Sequence, residues 1–318
     1  MRAVIAQDKK PTIVELPDLS PSAGELLVQV KATALNRADL LQVQGNYPPP
    51  AGAPEILGLE FAGEIIAVGD GVRDYTIGQR VMALVAGGGY AEQAVVPAAH
   101  TMPIPDYLSY EEAAAIPEAF LTAFSNMVEI GRLKAGETVL IHAGASGVGL
   151  AAIQIAKVIG ATVVVTTSAA KHGICREYGA DITIDYKSEN FAERLLAENI
   201  GVDLIIEHVG APYWNDNMRV LNLWGRVVYI GLLGGALTEV NLSDIMRKRL
   251  SIMGSTLRNR TFDEKAGLIS RFWEWAQPHF ESGTLKPTVW RTMPLDDVVE
   301  AHELMASNAN AGKIVLTL

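Results

Sequence analysis

The chain of 318 residues has one cysteine, Cys175. An intrachain disulfide is therefore impossible, which points to a reducing compartment and a cytoplasmic protein. The shortage of thiols also closes most zinc chemistry. No uninterrupted apolar run approaches the roughly 18 residues that a membrane span needs. Positive charge is scarce, with 26 Lys and Arg against 36 Asp and Glu and a net charge of −10. That balance argues against a nucleic-acid surface, which would want clustered basic residues. The N-terminus, MRAVIAQDKK, carries charge at once and has no long apolar core, so no signal peptide is expected. Internal repeats and low-complexity linkers are missing as well. What is there is the composition of a soluble globular protein, 49% hydrophobic and 19% charged. Its length suits about two domains.

The stretch Thr138–Gly149, TVLIHAGASGVG, organises the rest. Its apolar start reads as a short buried strand, its middle as a tight turn of small residues. The apolar segment LAAIQIAKVIG after it reads as a helix. Strand, glycine turn and helix open a dinucleotide-binding unit. Free N–H groups at a helix N-terminus point at the pyrophosphate, and residues without bulk let the backbone approach it. Gly144 and Gly149 take the first and third glycine places of the fingerprint, Ser146 takes the second, and Gly147 is an added glycine. A hydroxyl at Ser146 suits an anion but widens the turn. A plain strand-turn-helix connection is the competing reading.

Before this stretch, residues 1–35 alternate apolar and polar around the turn signals Pro17 to Gly24, an antiparallel β pattern. A short helix is expected at about Arg37 to Val43, opened by Asn36. Asn46-Tyr47-Pro48-Pro49-Pro50 is a stiff loop. Strands resume from Ile56 to Val96, so residues 1 to about 100 suggest a small closed or half-closed barrel. Helical patterns follow at Tyr110–Ile116 and Leu121–Ile130, broken at Pro117. Strands then alternate with helices. The strands are expected at Thr138–Ile141, Thr162–Thr167, Ile182–Asp185, Val202–Val209, Arg226–Ile230 and Ser251–Met253. That succession implies a parallel sheet covered on both faces. Phe262–Phe280 reads as a long amphipathic helix with Leu268, Phe272 and Trp275 on its core face, and the chain closes with β-α-β character.

The strand after the glycine turn ends Thr166-Thr167-Ser168, with Lys171 just beyond. Enzymes that use NAD place an acid there to hold the ribose hydroxyls. A carboxylate would repel a 2′-phosphate, whereas hydroxyls and an ammonium welcome it, so NADP is favoured over NAD. Ser168 as a helix cap and Lys171 as a solvated charge is the bland alternative. Tyr186, after the next short strand, either stacks on the phosphate side or simply packs. Glycines at two further strand ends, Gly210 and Gly231, with Leu232 and Leu233, stand where the nicotinamide half would lie.

These features together resemble the zinc-free quinone oxidoreductases, the zeta-crystallin-like family of the medium-chain dehydrogenase/reductase superfamily. The matching residues span the chain: Ala34–Asp39 with Gly45–Pro48, Gly58–Gly63, Ala114–Pro117, the Ala143–Gly149 turn and Gly312–Val315. His142–Gly149 and Tyr213-Trp214 look most like the stress-inducible quinone oxidoreductase branch. The resemblance implies an α/β fold with a chaperonin-10-like β-barrel catalytic domain and a Rossmann domain with a doubly wound parallel sheet. The expected division is 1–119 and 258–318 for the first and 120–257 for the second. It implies NADPH bound by Gly144, Ser146, Gly147, Val148, Ser168, Lys171, Tyr186 and Gly210. Further contacts are implied from Asn36, Thr122, Gly231, Leu232, Leu233 and Lys313. Metal-dependent relatives hold zinc with a histidine where this chain has Leu59, so no metal is expected.

Without a metal to polarise a simple carbonyl, the acceptor must already be electron-poor, such as a quinone or an α,β-unsaturated carbonyl. Tyr47 is the candidate to orient the substrate or deliver a proton, and Asn36 to hydrogen-bond its carbonyl. Tyr47 as a loop residue stacked on prolines is the alternative. A reductase of enones or enoyl thioesters is the rival enzyme, with Arg258 and Arg260 as possible partners for the thioester's phosphates. A non-catalytic NADPH-binding redox sensor is the rival outside enzymes. The apolar Leu250–Met253 stretch at the expected sheet edge invites pairing, so a homodimer is expected.

Overall fold

A computed structural model describes all 318 residues, Met1–Leu318. The chain forms two compact units. The first comprises Met1–Leu121, Leu257–Glu281 and Lys286–Leu318; the second comprises Thr122–Thr256 with Ser282–Leu285.

In the first unit, β1 (Arg2–Gln7) and β2 (Lys10–Glu15) make a hairpin. The main sheet contains β3 (Glu25–Ala34), β4 (Glu60–Val68), β5 (Arg80–Leu84), β6 (Gln93–Pro97) and β7 (Thr101–Pro103). The late strands β14 (Val289–Pro294) and β15 (Lys313–Thr317) complete it. The order is β14-β15-β3-β4-β5-β7, with β6 also paired to β3. One long strand therefore serves three neighbours. Along β3, residues 25–29 meet β6 and residues 32–34 meet β15, while β4 runs along the whole strand. Register shifts between Leu27 and Val28 and between Val30 and Ala32 bend it, the local kink that curls a sheet toward a barrel. Leu26, Val28, Phe61, Ile65 and Val81 fill the resulting core.

The second unit carries a parallel sheet: β8 (Thr138–Ile141), β9 (Thr162–Thr167), β10 (Ile182–Asp185), β11 (Val202–Glu207), β12 (Leu221–Tyr229) and β13 (Ser251–Gly254). Its order is β10-β9-β8-β11-β12-β13. Renumbered within the unit this is 3-2-1-4-5-6, the Rossmann order, whose switch point lies between β8 and β11. The strands read as near-continuous apolar runs because both faces are covered. Leu140, Val164, Ile184, Ile205 and Val227 pack with Phe191, Leu195, Trp214 and Met218 from the helices.

Three local expectations are corrected. Pro117 opens a helix, Pro117–Phe124, instead of breaking one, and a π-helical turn Ser125–Ile130 continues it. At the first helical position the missing N–H of proline has no intrahelical partner to lose. Strand β12 starts at Leu221, five residues before the expected Arg226, because its first half carries an irregularity with Trp224 at φ 65° that hides the period-two pattern. The core stripe of Phe262–Glu281 runs through Leu268, Ile269, Phe272, Ala276 and Phe280, while Trp275 lies only partly buried. No helix of the chain is long and apolar enough to cross a membrane.

Candidate functional site

The turn after β8 is built by close packing. A Cβ on Gly144 would stand 2.6 Å from the Cβ of Val165 on β9, and one on Gly149 would stand 2.5 Å from the carbonyl oxygens of Ala143 and Gly144. Ala143 itself adopts φ 52°. Ser146 is the N-cap of the helix Gly147–Ile159, its Oγ accepting from the Gly149 N–H at 3.0 Å. The N–H groups of Gly147 and Val148 have no acceptor within the helix, as at every helix start. They make the electropositive end that suits a phosphate. The cradle fits the pyrophosphate of a dinucleotide.

The neighbouring strand ends hold the other expected residues. Ser168 and Lys171 follow β9, Tyr186 follows β10, Gly210 follows β11 and Gly231–Leu233 follow β12. All stand at the carboxyl ends of adjacent parallel strands, the edge where open α/β sheets bind ligands. Ser168 begins a short 3-10 turn without a side-chain cap bond. Tyr186, Leu232 and Leu233 are exposed. Asp185 ends β10. Its carboxyl is held low by the Ser188 hydroxyl and by backbone N–H groups of Lys187 and Ala169. Gly210 and Leu232 line a cavity of about 310 Å³ with Ala211, Trp214, Tyr229 and Leu237. Thr122 lies in the helix Pro117–Phe124, its carbonyl accepting from the Asn126 side chain at 2.7 Å.

Beneath these loops sits a buried network that the sequence reading passed over. His142 Nδ1 lies 2.9 Å from Thr166 Oγ1, and its Nε2 lies 2.9 Å from Asn217 Oδ1. Asn217 Nδ2 donates to Glu207, whose carboxylate also accepts from the N–H of Gly210 at 3.0 Å and from that of Val209. His142, Glu207 and Asn217 are fully buried. The orientation follows from donor count. A carboxylate only accepts, so Asn217 turns its amide nitrogen to Glu207 and its oxygen to His142. The imidazole is then protonated on Nε2 and accepts at Nδ1 from the Thr166 hydroxyl. Burial lowers the His142 pKa, against the opposing pull of Glu207 and Asn217. The network ties the ends of β8, β9 and β11 together directly under the turn. Its signal in the sequence was a polar residue closing two apolar runs, TVLIH and VDLIIE.

In the first unit the residues around Asn36 form a second buried network. Lys313 Nζ donates to Leu35 O, Asn36 Oδ1 and Glu60 Oε1, each at 2.6 Å. Those three acceptors use all three ammonium protons. Asn36 Nδ2 donates to Glu60 Oε1 at 2.9 Å and to Ala34 O at 3.2 Å. Asn36 precedes the helix Arg37–Val43, but the cap works in reverse: Asp39 reaches back to the Asn36 N–H at 2.7 Å. Tyr90 donates to the same Asp39 oxygen at 2.9 Å. Burial pushes the Asp39 carboxyl up to about 6, against the bonds from Asn36 and Tyr90. Glu60 Oε2 accepts from the Glu118 N–H at 2.7 Å. The Glu118 carboxyl is pushed up to about 8 by burial and by Glu60 and Asp39, with Lys313 and Arg258 pulling down.

Tyr47 is partly buried, and its hydroxyl makes no bond within the protein. Burial, and then Glu118, raises its pKa, while Arg258 acts in the opposite sense. Arg258 is itself buried and bonded to carbonyl and amide oxygens of the first unit. It therefore offers no open surface to the phosphates of a thioester, which corrects the expectation for Arg258.

The matches to known proteins cover both units. The alcohol dehydrogenase GroES-like domain matches residues 22–106, and the zinc-binding dehydrogenase domain matches residues 147–273. The rat synaptic vesicle membrane protein VAT-1 homolog is 30% identical, over 93% of this chain and 78% of that protein. The Escherichia coli quinone oxidoreductase, solved in complex with NADPH, is 30% identical with a TM-score of 0.90, covering 100% of this chain and 99% of that one. The JamJ enoyl reductase is 28% identical with a TM-score of 0.89, covering 99% of this chain and 98% of that one. The chain belongs to the zeta-crystallin-like quinone oxidoreductase family of the medium-chain dehydrogenase/reductase superfamily, with a GroES-like domain and a Rossmann-type domain.

Proposed function

We propose that this protein is an NADPH-dependent, metal-independent reductase of small quinones. The observation that carries the reading is the row of strand ends in the second unit. A Ser146-capped helix start stands at the switch strand, and the next strand ends in Thr167-Ser168 with Lys171 beyond, where a carboxylate would select against a 2′-phosphate. In this reading Gly144, Ser146, Gly147 and Val148 hold the pyrophosphate, and Ser168, Lys171 and Tyr186 take the 2′-phosphate side. Thr122, Gly210, Gly231, Leu232 and Leu233 take the nicotinamide half. The family's relative with NADPH bound supports the choice of cofactor.

The dihydronicotinamide supplies a hydride when bound. The protein's own part is placement, worth up to roughly 7–11 kcal/mol in well-oriented systems, and a proton for the reduced acceptor. Tyr47 is the donor in this proposal, since a phenol stays protonated at neutral pH and its hydroxyl is uncommitted. For Asn36 to bond the carbonyl, it has to redirect an Nδ2 N–H that it now donates to Glu60 or Ala34. No step calls for a Lewis acid. The exposed edge strand β13 suits a homodimer, to be checked by light scattering at micromolar concentration.

A second reading, reduction of enones or enoyl thioesters, is favoured by the similarity to the JamJ enoyl reductase. Loss of NADPH absorbance at 340 nm, followed with 9,10-phenanthrenequinone and separately with acrolein and a crotonyl thioester, separates the two. Turnover of the quinone by chelator-treated protein supports the proposal. Turnover of the thioester alone defeats it, and no turnover of any acceptor favours a nucleotide-binding sensor.

A further inference from the structure

The segment that carries Tyr47 cannot hold itself in place. Pro48, Pro49 and Pro50 have no N–H to donate. The backbone bonds of this stretch are confined to its ends, Asn46 N–H to Leu41 O at 2.9 Å and Ala53 N–H to Pro50 O at 3.0 Å. The missing tie comes from a residue more than two hundred positions away. Arg258 Nη1 donates to the Tyr47 carbonyl at 3.1 Å, and its guanidinium carbon stands 5.1 Å from the centre of the Tyr47 ring. The other arms of the fork are fixed from behind. Nε donates to Ala86 O at 2.8 Å and Nη2 to Gln42 Oε1 at 2.7 Å. Lys265, also buried, donates to the Arg258 carbonyl at 2.7 Å. A planar, always charged fork can grip three carbonyl-type oxygens and still lie over an aromatic ring, which a lysine cannot do.

We propose that Arg258 is the positioning residue for Tyr47: it clamps the proline-rich loop and fixes the phenol for the acceptor. This rests on the quinone reductase reading only for its consequence in turnover; the clamp itself is a property of the free protein. A residue that merely filled space would be bonded to its own segment. Arg258 instead joins two separated ones, the Gln42–Tyr47 stretch and Ala86. Its charge beside the ring also opposes the rise in the Tyr47 pKa caused by burial and by Glu118.

The test combines hydrogen exchange on the nucleotide-free protein with a double-mutant cycle. Arg258→Met and the milder Arg258→Lys are each made alone and together with Tyr47→Phe. The clamp predicts faster exchange in the peptide covering residues 44–53, with the peptides of the second unit unchanged. It also predicts that kcat falls in Arg258→Met about as far as in Tyr47→Phe, at unchanged NADPH affinity. The double variant then stays within about twofold of Tyr47→Phe alone, the limit expected when one residue acts through the other. Arg258→Lys keeps the charge without the fork and falls between; it serves if the methionine variant does not fold. Unchanged exchange at 44–53 overturns the proposal, as does a loss that multiplies in the Tyr47→Phe background. If no acceptor is turned over by the parent enzyme, the functional reading fails while the exchange result still decides the clamp.

Discussion

Asn217 presents its oxygen to His142 Nε2 at 2.9 Å and its nitrogen to Glu207, so one buried amide fixes both the tautomer of the imidazole and the placing of the carboxylate. The pair lies under the glycine turn and couples two strand ends that the proposed cofactor spans. Its consequences are measurable without any cofactor.

The first is spectroscopic. His142 is expected as the neutral Nε2–H tautomer in nitrogen-15 correlation spectra. It should stay neutral below the ordinary value of 6.5, because burial lowers its pKa. A histidine protonated at neutral pH, or an Nδ1–H tautomer, contradicts the assignment. Asn217→Leu strips Glu207 of its amide donor in a buried place and should cost about 1.5–3 kcal/mol in urea unfolding.

The second concerns Lys313 and Glu60, paired at 2.6 Å with side chains 4% and 0% exposed. Lys313→Met leaves a buried carboxylate without its ammonium and is expected to destabilise by about 3–5 kcal/mol. Adding Glu60→Gln should recover part of that loss. A double variant whose cost equals the sum of the two single-variant costs would show that the two groups are not coupled.

A pH dependence follows from Glu118. Its carboxyl is raised from 4.5 to about 8 in the folded protein, chiefly by burial. The folded state binds this proton more tightly than the unfolded chain. The favourable contribution is therefore complete below about 4.5 and is lost as pH rises through about 8. Glu118→Gln mimics the neutral form. Its melting temperature should gain on the parent's progressively over that window, and a difference independent of pH would refute the shift.

Ser146 is an N-cap and, in the proposed reading, a cofactor contact, two roles that can be separated. As an N-cap, its replacement by alanine should cost about 1 kcal/mol, and by glycine only a few tenths. Ser146→Gly is thus expected to keep near-parent stability in the absence of nucleotide. Weaker NADPH binding by that variant, read by calorimetry, isolates the hydroxyl's contact with the cofactor; unaltered binding leaves the residue as a cap alone.

Lys171→Ala tests the choice of dinucleotide. Loss of an ammonium facing a 2′-phosphate should weaken NADPH by several-fold to about tenfold, the range of a charge-assisted contact of up to roughly 1.4 kcal/mol. NADH binding should hardly change. Equal weakening of both dinucleotides would place Lys171 elsewhere.

Much of this was visible in the chain before folding was considered. The alternation of apolar strands and helices after residue 138 dictates a covered parallel sheet, since period and burial are local properties of the sequence. The turn of Gly144 to Gly149 was equally plain, because its steric demand is met by neighbours in sequence and by one adjacent strand. The departures fell where local pattern yields to packing. Trp224 breaks the period of β12, and Ala276 takes the core place that spacing gave to Trp275.

The sequence by itself determined the strand-turn-helix unit, the want of an acid after β9 and the stiffness of the loop at Tyr47, because each depends on residues close together in the chain. Only the tertiary structure decided that Arg258 grips that loop, that Lys313 spends its protons on Leu35, Asn36 and Glu60, and that His142 reads its tautomer from Glu207 through Asn217. Those contacts join segments tens to hundreds of residues apart. Hydrogen-bond partners of buried polar groups are fixed by which strands lie side by side, and no local pattern encodes that.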